Sequence, residues 1–190
     1  MDVRSIKDET KEALVGNRLM LLLVFIVYAA INIVLGKFYI GLVLLPIFSA
    51  GYYLVYKVYF QERRVDIEKM FDFFKNLNHA LKLLGVFLLT ALFIFIGTIF
   101  FVIPGIILYL QYSQASLIMA DNPTIEVWDA MQRSKELMDG HKMEFFGVIL
   151  TIIGHFILGL ITLGIYLAYI IPYMNGLVFN YYLHLSYQNE

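Results

Sequence analysis

Fifteen acidic residues, four histidines and no cysteine are the whole stock from which this 190-residue chain could build acid–base, metal or thiol chemistry. His79, His141, His155 and His184 lack the spacing of a zinc site. The chain holds no Walker loop, Gly-x-Gly-x-x-Gly, His-Glu-x-x-His or nucleophile elbow. Without cysteine there is no thiolate ligand, no cysteine nucleophile and no disulfide. The strongest enzymatic arrangement left is Asp121, Asp139 and His141, which turn chemistry explains more simply. No catalytic residue, metal or cofactor is expected, and the chain is not read as an enzyme. A second set is polar but uncharged, and stands in otherwise apolar stretches: Gln111, Ser113, Ser116, Thr151, Asn175 and Asn180, joined by His155. An ionisable group inside a membrane is a candidate proton relay or ligand anchor. No acid or base is expected at the depth of His155, which favours a neutral, hydrogen-bonded packing role.

The elements that must position these residues follow from composition and charge. Hydrophobic residues make up 61% of the chain and charged residues 15%, and the mean hydropathy is +0.75. Soluble domains are about 45–50% apolar and about 25% charged. A chain of this size buries only about 70% of its surface, so a soluble globule is excluded, as is disorder. The net charge of −1 argues against nucleic acid as a partner. The charge-free stretches 19–36 and 38–56 are each about one bilayer core deep at about 1.5 Å per residue; 83–120 and 145–189 suit two crossings each. Fold-back points are expected at Ile103-Pro104-Gly105, where proline ends a helix and glycine turns, and at Thr162-Leu163-Gly164. The expectation is an all-α membrane protein with six transmembrane helices, over 18–36, 38–60, 80–103, 105–120, 144–162 and 164–186. The fourth is short and polar enough to be tilted or partly re-entrant. Of the 14 lysines and arginines, only Lys37 falls on the less basic side. The positive-inside bias therefore puts both termini in the cytoplasm. Over residues 1–18 four acids balance four bases, so 18–36 is expected to be retained rather than cleaved as a signal peptide.

The segments between spans carry their own pattern. Over 125–139, Val127, Trp128, Ala130, Met131, Ser134, Leu137 and Met138 share one helical face. Asn122 is expected to cap this helix, Pro123 to fit its first turn and Asp139-Gly140 to stop it. Residues 65–77 set Ile67, Met70, Phe71, Phe73, Phe74 and Leu77 against a polar face, and 3–15 a narrower stripe of Val3, Ile6, Ala13 and Leu14. The chain thus reads as one polytopic domain of three hairpins, each preceded by a cytoplasmic amphipathic helix, in units of roughly 1–60, 61–120 and 121–190. The placing of Gly41, Pro46 and Gly51 resembles that of Gly164, Pro172 and Gly176. The apolar faces would rest on the membrane or the bundle floor; docking of a cytoplasmic partner is the sharper alternative. Small and polar residues recur at helical spacing, as Gly147, Thr151, His155 and Gly159, and as Gly164, Ala168, Pro172, Gly176 and Asn180. Such stripes pack helices in lipid; alternatively the polar set lines a cavity for a lipid headgroup, peptide or small solute.

From residue 104 onward specific motifs accumulate. They are Pro104-Gly105, Tyr112-Ser113, Asp121-Asn122-Pro123, Ser134-Lys135, Gly140-His141-Lys142, Thr162-Leu163-Gly164, Pro172-Tyr173 and Tyr181-Tyr182, with Gly16-Asn17-Arg18 near the N-terminus. In order and spacing they resemble the bacterial membrane proteins grouped as domain of unknown function 975. A fainter likeness exists to the membrane domains attached to some glycerophosphodiester phosphodiesterases. The resemblance implies a multispanning protein of the bacterial plasma membrane and brings no settled activity. Thr151-Ile152-Ile153-Gly154-His155 departs from it where the family usually reads Ser-Phe-Ile-Gly-Trp. The expected role is an envelope accessory, scaffold or binding component, in contact with the bilayer and with a cytoplasmic or membrane protein partner. The alternative is a transporter or permease component for a peptide, lipid or amphiphile.

Overall fold

The computed structural model describes residues 3–37, 39–100, 102–162 and 164–188. Among these, every regular element is helical: α1 Val3–Ala13, α2 Arg18–Leu35, α3 Tyr39–Glu62, a 3-10 helix Ile67–Lys75, α4 Leu77–Phe100, α5 Val102–Tyr112, α6 Ala115–Asp121, α7 Val127–Leu137, α8 Lys142–Ile161 and α9 Ile165–Gln188. Leu163 of the second expected fold-back lies outside the described residues, as does the side chain of Ala168.

Four segments are long and apolar enough to cross a membrane: Arg18–Leu35, Leu77–Ile99, Ile103–Asp121 and Lys142–Ile161. The protein itself covers little of them, burying 11% of the first and 17% of the last. Leu19, Ile33, Leu88, Phe95, Ile99 and Ile161 all point outward. So much contiguous apolar surface suits hydrocarbon rather than water.

The core lies elsewhere, around α3 and α9. α3 packs on α2, the 3-10 helix, α4, α6 and α9; α9 packs on α1, α2, α3 and α8. Tyr53, Tyr56 and Tyr59 are fully buried on α3, as are Leu177, Tyr181 and Leu185 on α9. The ring of Phe179 meets those of Tyr52, Tyr53 and Tyr56. Contacts of α3 thus cross all three expected units.

The amphipathic segments serve as the floor of this core, though not all in the expected form. α7 buries Ala130, Met131, Ser134, Leu137 and Met138, while Trp128 of the same expected face stays exposed beside Phe93. Asn122 does not cap α7. It ends α6 and its side-chain oxygen accepts the Thr124 N–H (3.1 Å), so that α7 begins after Glu126. This is the local turn that asparagine favours. Gly140 follows α7 with φ +77°. Residues 67–75 form a 3-10 helix rather than the α-helix their periodicity suggests. Asp66 caps it through the Glu68 N–H at 3.1 Å. Its backbone comes so close to α3 that a Cβ at Gly51 would strike the Met70 carbonyl. Met70 and Phe73 are buried while Phe71 and Phe74 flank the Phe48 ring from the surface.

The expected amphipathic helix at the N-terminus forms as α1 and rests its apolar stripe on the bundle, packed along α9. Ile6, Thr10 and Leu14 are fully covered. Asn180 donates to the Thr10 hydroxyl (3.0 Å), His184 meets Glu9 (2.6 Å), and the Arg18 guanidinium lies 4.6 Å over the Tyr169 ring. Tyr59 donates to the Ala13 carbonyl. Thr10 is the residue the apolar stripe missed: its hydroxyl is satisfied by donating to the Ile6 carbonyl (2.7 Å), so it can be buried like an apolar group.

Two fold-back expectations part company. Gly164 turns between α8 and α9 with φ +87°, as expected. Between α4 and α5 the chain reverses before Pro104, which sits in the first turn of α5, where proline is tolerated. Gly105 is no turn residue; a Cβ there would collide with Thr98 of α4. The expected fourth span is broken at Ser113 and Gln114 into α5 and α6.

Candidate functional site

Breaking a helix inside an apolar layer frees backbone groups that need partners. Ser134, brought in by α7, supplies both at the α5–α6 break. Its hydroxyl donates to the Gln111 carbonyl (2.9 Å) and accepts the Gln114 N–H (3.3 Å). The break redirects α6 so that its last residue, Asp121, lands on the α3–α9 core. Tyr53 and Lys57 lie one turn apart on α3. The Tyr53 phenol donates to Asp121 Oδ2 (3.0 Å) and the Lys57 ammonium to Oδ1 (2.8 Å). Tyr182 of α9 also donates to Oδ2 (3.0 Å). One carboxylate therefore ties three helices together, with Asp121 and Lys57 only 19% and 26% exposed.

Lys57, Asp121 and Tyr182 of this cluster line a cavity of about 480 Å³. Arg133, Asn122, Gln61 and Tyr187 also line it. Gln61 donates to the Tyr187 hydroxyl (2.7 Å). Cations and an anion are mixed, and Asp121 accepts hydrogen bonds on both oxygens. A carboxylate bonded on both oxygens is held in place.

A second cavity, of about 510 Å³, lies between α2, α3, α4, α6 and α9. Leu45, Pro46, Leu83, Phe87 and Phe179 give it apolar walls; Tyr28, Asn32, Ser49, Ser116 and Asn175 give it uncharged polar groups. Tyr28 stacks on Tyr52 with ring centroids 4.6 Å apart.

The residues expected to line a polar cavity are thus only partly brought together. Ser116 and Asn175 share the second cavity. Gln111 and Ser113 belong to the α5–α6 break, where the Ser113 hydroxyl donates to the Leu110 carbonyl (2.8 Å). Asn180 is spent on Thr10. Thr151 accepts from Lys7 (2.7 Å) and donates to the Gly147 carbonyl (2.8 Å). His155 does not stand alone: its Nδ1 meets the Tyr166 hydroxyl (2.8 Å), the Tyr173 ring lies edge-on to it, and Lys7 of α1 reaches the preceding helical turn. The expected seam at Gly147 meets no neighbour, whereas Gly159 and Gly176 admit Leu167 and Thr10. Asp121, Asp139 and His141 have separate engagements, the latter two with Lys142 (3.3 Å) and Glu144 (2.9 Å).

The motif residues nearly all have an architectural task. Pro104 and Gly105 shape the α4–α5 hairpin, and Pro123 lies inside the Asn122–Thr124 turn, ahead of α7 rather than in its first turn as expected. Gly140 and Gly164 supply left-handed turns. The Tyr181 phenol donates to the His141 carbonyl (3.2 Å) and Tyr56 to the Pro172 carbonyl (3.4 Å). Lys135 is exposed and nothing in the structure explains it. Sequence reasoning missed Lys57, Tyr53, Tyr28, Asn32 and Ser49. The signals available were the Tyr53–Lys57 spacing of one turn and two polar residues, Asn32 and Ser49, within apolar runs.

Residues 98–189 match the family described as "Protein of unknown function (DUF975)". No curated protein and no solved structure gives a match. The matched region contains Asp121, the α5–α6 break, α7 and the α8–α9 hairpin, so the resemblance in the motifs is borne out over that part of the chain.

Proposed function

We propose that this chain, whose residues 98–189 carry the DUF975 domain, is a six-span protein of a bacterial plasma membrane that acts as a non-catalytic binding or scaffolding component of the envelope. Four spans are the apolar helices described above. The other two are α3 and α9, each of 24 residues. At about 1.5 Å per residue these are about 36 Å long, enough for a hydrocarbon core of about 30 Å. The hairpins are then α2–α3, α4 with α5–α6, and α8–α9, with both termini and every basic residue but Lys37 on the cytoplasmic side. Because α1 carries exposed charges and lies along α9, the α8–α9 hairpin leans, with its α1-covered flank toward water.

The observation that carries the non-catalytic reading is how the ionic side chains are used. Asp121 is fixed by Lys57, Tyr53 and Tyr182; Glu144 is met by His141, Glu9 by His184, and Glu126 by Lys82. Three of these four links join separate elements and hold the cytoplasmic end in shape. The second cavity favours binding of an amphiphile from the bilayer, which is also what a permease component would need.

Reconstitution distinguishes the two roles. The full chain in proteoliposomes should leave the transbilayer movement of a fluorescent phosphatidylglycerol, and the release of an entrapped labelled peptide, at the rate of protein-free vesicles. A protein-dependent rate for either would overturn the scaffold and establish transport.

A further inference from the structure

The second cavity lies among the apolar surfaces that suit lipid. It reaches the surface at exposed Ser49, and Phe87 on its wall is itself exposed. A molecule arriving there from the bilayer comes through hydrocarbon. None of its lining residues carries a charge. A phosphate or ammonium headgroup would give up its hydration with nothing to pair against, which is costly in such surroundings.

The hydrogen bonds define what the lining can still offer. The Ser49 hydroxyl spends its proton on the Leu45 carbonyl (2.9 Å). The Tyr28 phenol, 2.9 Å from Ser49, must then be the donor to it, which leaves both oxygens able to accept. Asn32 commits one amide N–H to the Tyr28 carbonyl (2.7 Å) and retains a second N–H and its amide oxygen. Acceptors and a donor thus sit side by side without charge. That complement suits an alcohol next to an ester carbonyl. The volume of about 510 Å³ is that of a small-molecule site, with room for a glycerol ester and the first methylenes of a chain.

We propose that this cavity binds an uncharged, hydroxyl- and ester-bearing lipid of the acylglycerol class, with its polar end between Tyr28, Asn32 and Ser49 and its chain leaving along Phe87 into the bilayer. The assignment rests on the membrane reading above.

The test uses the full chain in phosphatidylcholine nanodiscs with a dioleoylglycerol analogue carrying a diazirine midway along one chain. Photolabelling should concentrate on peptides around 28–32, 45–50 and 83–87. Excess dioleoylglycerol should abolish it, and the same excess of dioleoyl phosphatidylglycerol should not. Asn32→Leu combined with Ser49→Ala should weaken competition by dioleoylglycerol about tenfold, the loss expected for one or two hydrogen bonds. Equal competition by the anionic lipid, or label spread over all outward helices, would overturn the assignment while leaving the membrane reading intact. A chain that did not enter nanodiscs would overturn both. Should the double variant fail to assemble, competition on the natural chain decides alone.

Discussion

Replacing Asp121 with asparagine keeps the shape of the side chain and removes its charge, which makes it the sharpest probe of the link between α3, α6 and α9. Asp121 accepts three hydrogen bonds, two from phenols and one from an ammonium. A bond to a charged group contributes about 1.5–3 kcal/mol and a neutral one about 0.5–1.5 kcal/mol, so three weakened bonds amount to about 3 kcal/mol. Asp121 and Lys57 keep 19% and 26% of their exposure, and water screens what remains, which lowers the expected cost of Asp121→Asn to about 2 kcal/mol. Asp121→Ala also orphans both phenols and should cost about 3–4 kcal/mol. Lys57→Met placed on top of Asp121→Asn should cost less than the two changes measured separately, by about 1 kcal/mol, because the second change removes a cation already left without its partner. Unfolding of the detergent-solubilised protein by added dodecyl sulfate, followed by far-UV circular dichroism at pH 7, gives these differences. Wild-type stability in Asp121→Asn, or strict additivity with Lys57→Met, would refute the role assigned to the cluster.

Other expectations follow from close contacts. Gly51→Ala drives a methyl into the Met70 carbonyl; a backbone neighbour cannot rotate away, so the same unfolding assay should show a loss of about 2–3 kcal/mol. Ser134→Ala leaves the Gln111 carbonyl and the Gln114 N–H without their partner, which should cost about 1–3 kcal/mol and speed hydrogen exchange at residue 114. Asp72 accepts from Lys75 and Lys69, and the Lys75 hydrogen bond holds its carboxyl below the usual carboxylate range. A group with a depressed folded-state pKa stabilises above its unfolded pKa and loses that contribution as pH falls toward the folded one. Exchange in the 3-10 helix should therefore quicken on acidification below about pH 4, and Asp72→Asn should remove that dependence.

Charge-free stretches of bilayer length marked the long helices, and the apolar stripe marked α1 and α7, because a stripe on a helix reports directly on burial. The stripe could not foresee the form of residues 67–75, since the 3-10 geometry depends on Gly51 admitting the Met70 carbonyl from a different helix. The α5–α6 break was foreshadowed only by Ser113 and Gln114 in an apolar run; its cure, the Ser134 hydroxyl, comes from 20 residues away. The lengthwise packing of α1 was hidden for a similar reason. Thr10 looks polar in sequence and becomes a core residue only once Ile6 and Asn180 satisfy its hydroxyl. In the candidate sites, charge spacing told which groups were scarce but not which would meet. Asp121 read as a turn residue, and its partners Tyr53, Lys57 and Tyr182 lie 68, 64 and 61 positions away.

The most direct measurement is which side of the membrane each connection faces. The natural chain contains no cysteine, so Lys37→Cys and Arg133→Cys each introduce a single reporter. In intact bacterial cells Lys37→Cys should react with a membrane-impermeant maleimide, and Arg133→Cys should react only after the cells are broken. Labelling of residue 133 from outside, or of both positions equally in intact cells, would contradict the proposed six-span arrangement with cytoplasmic termini.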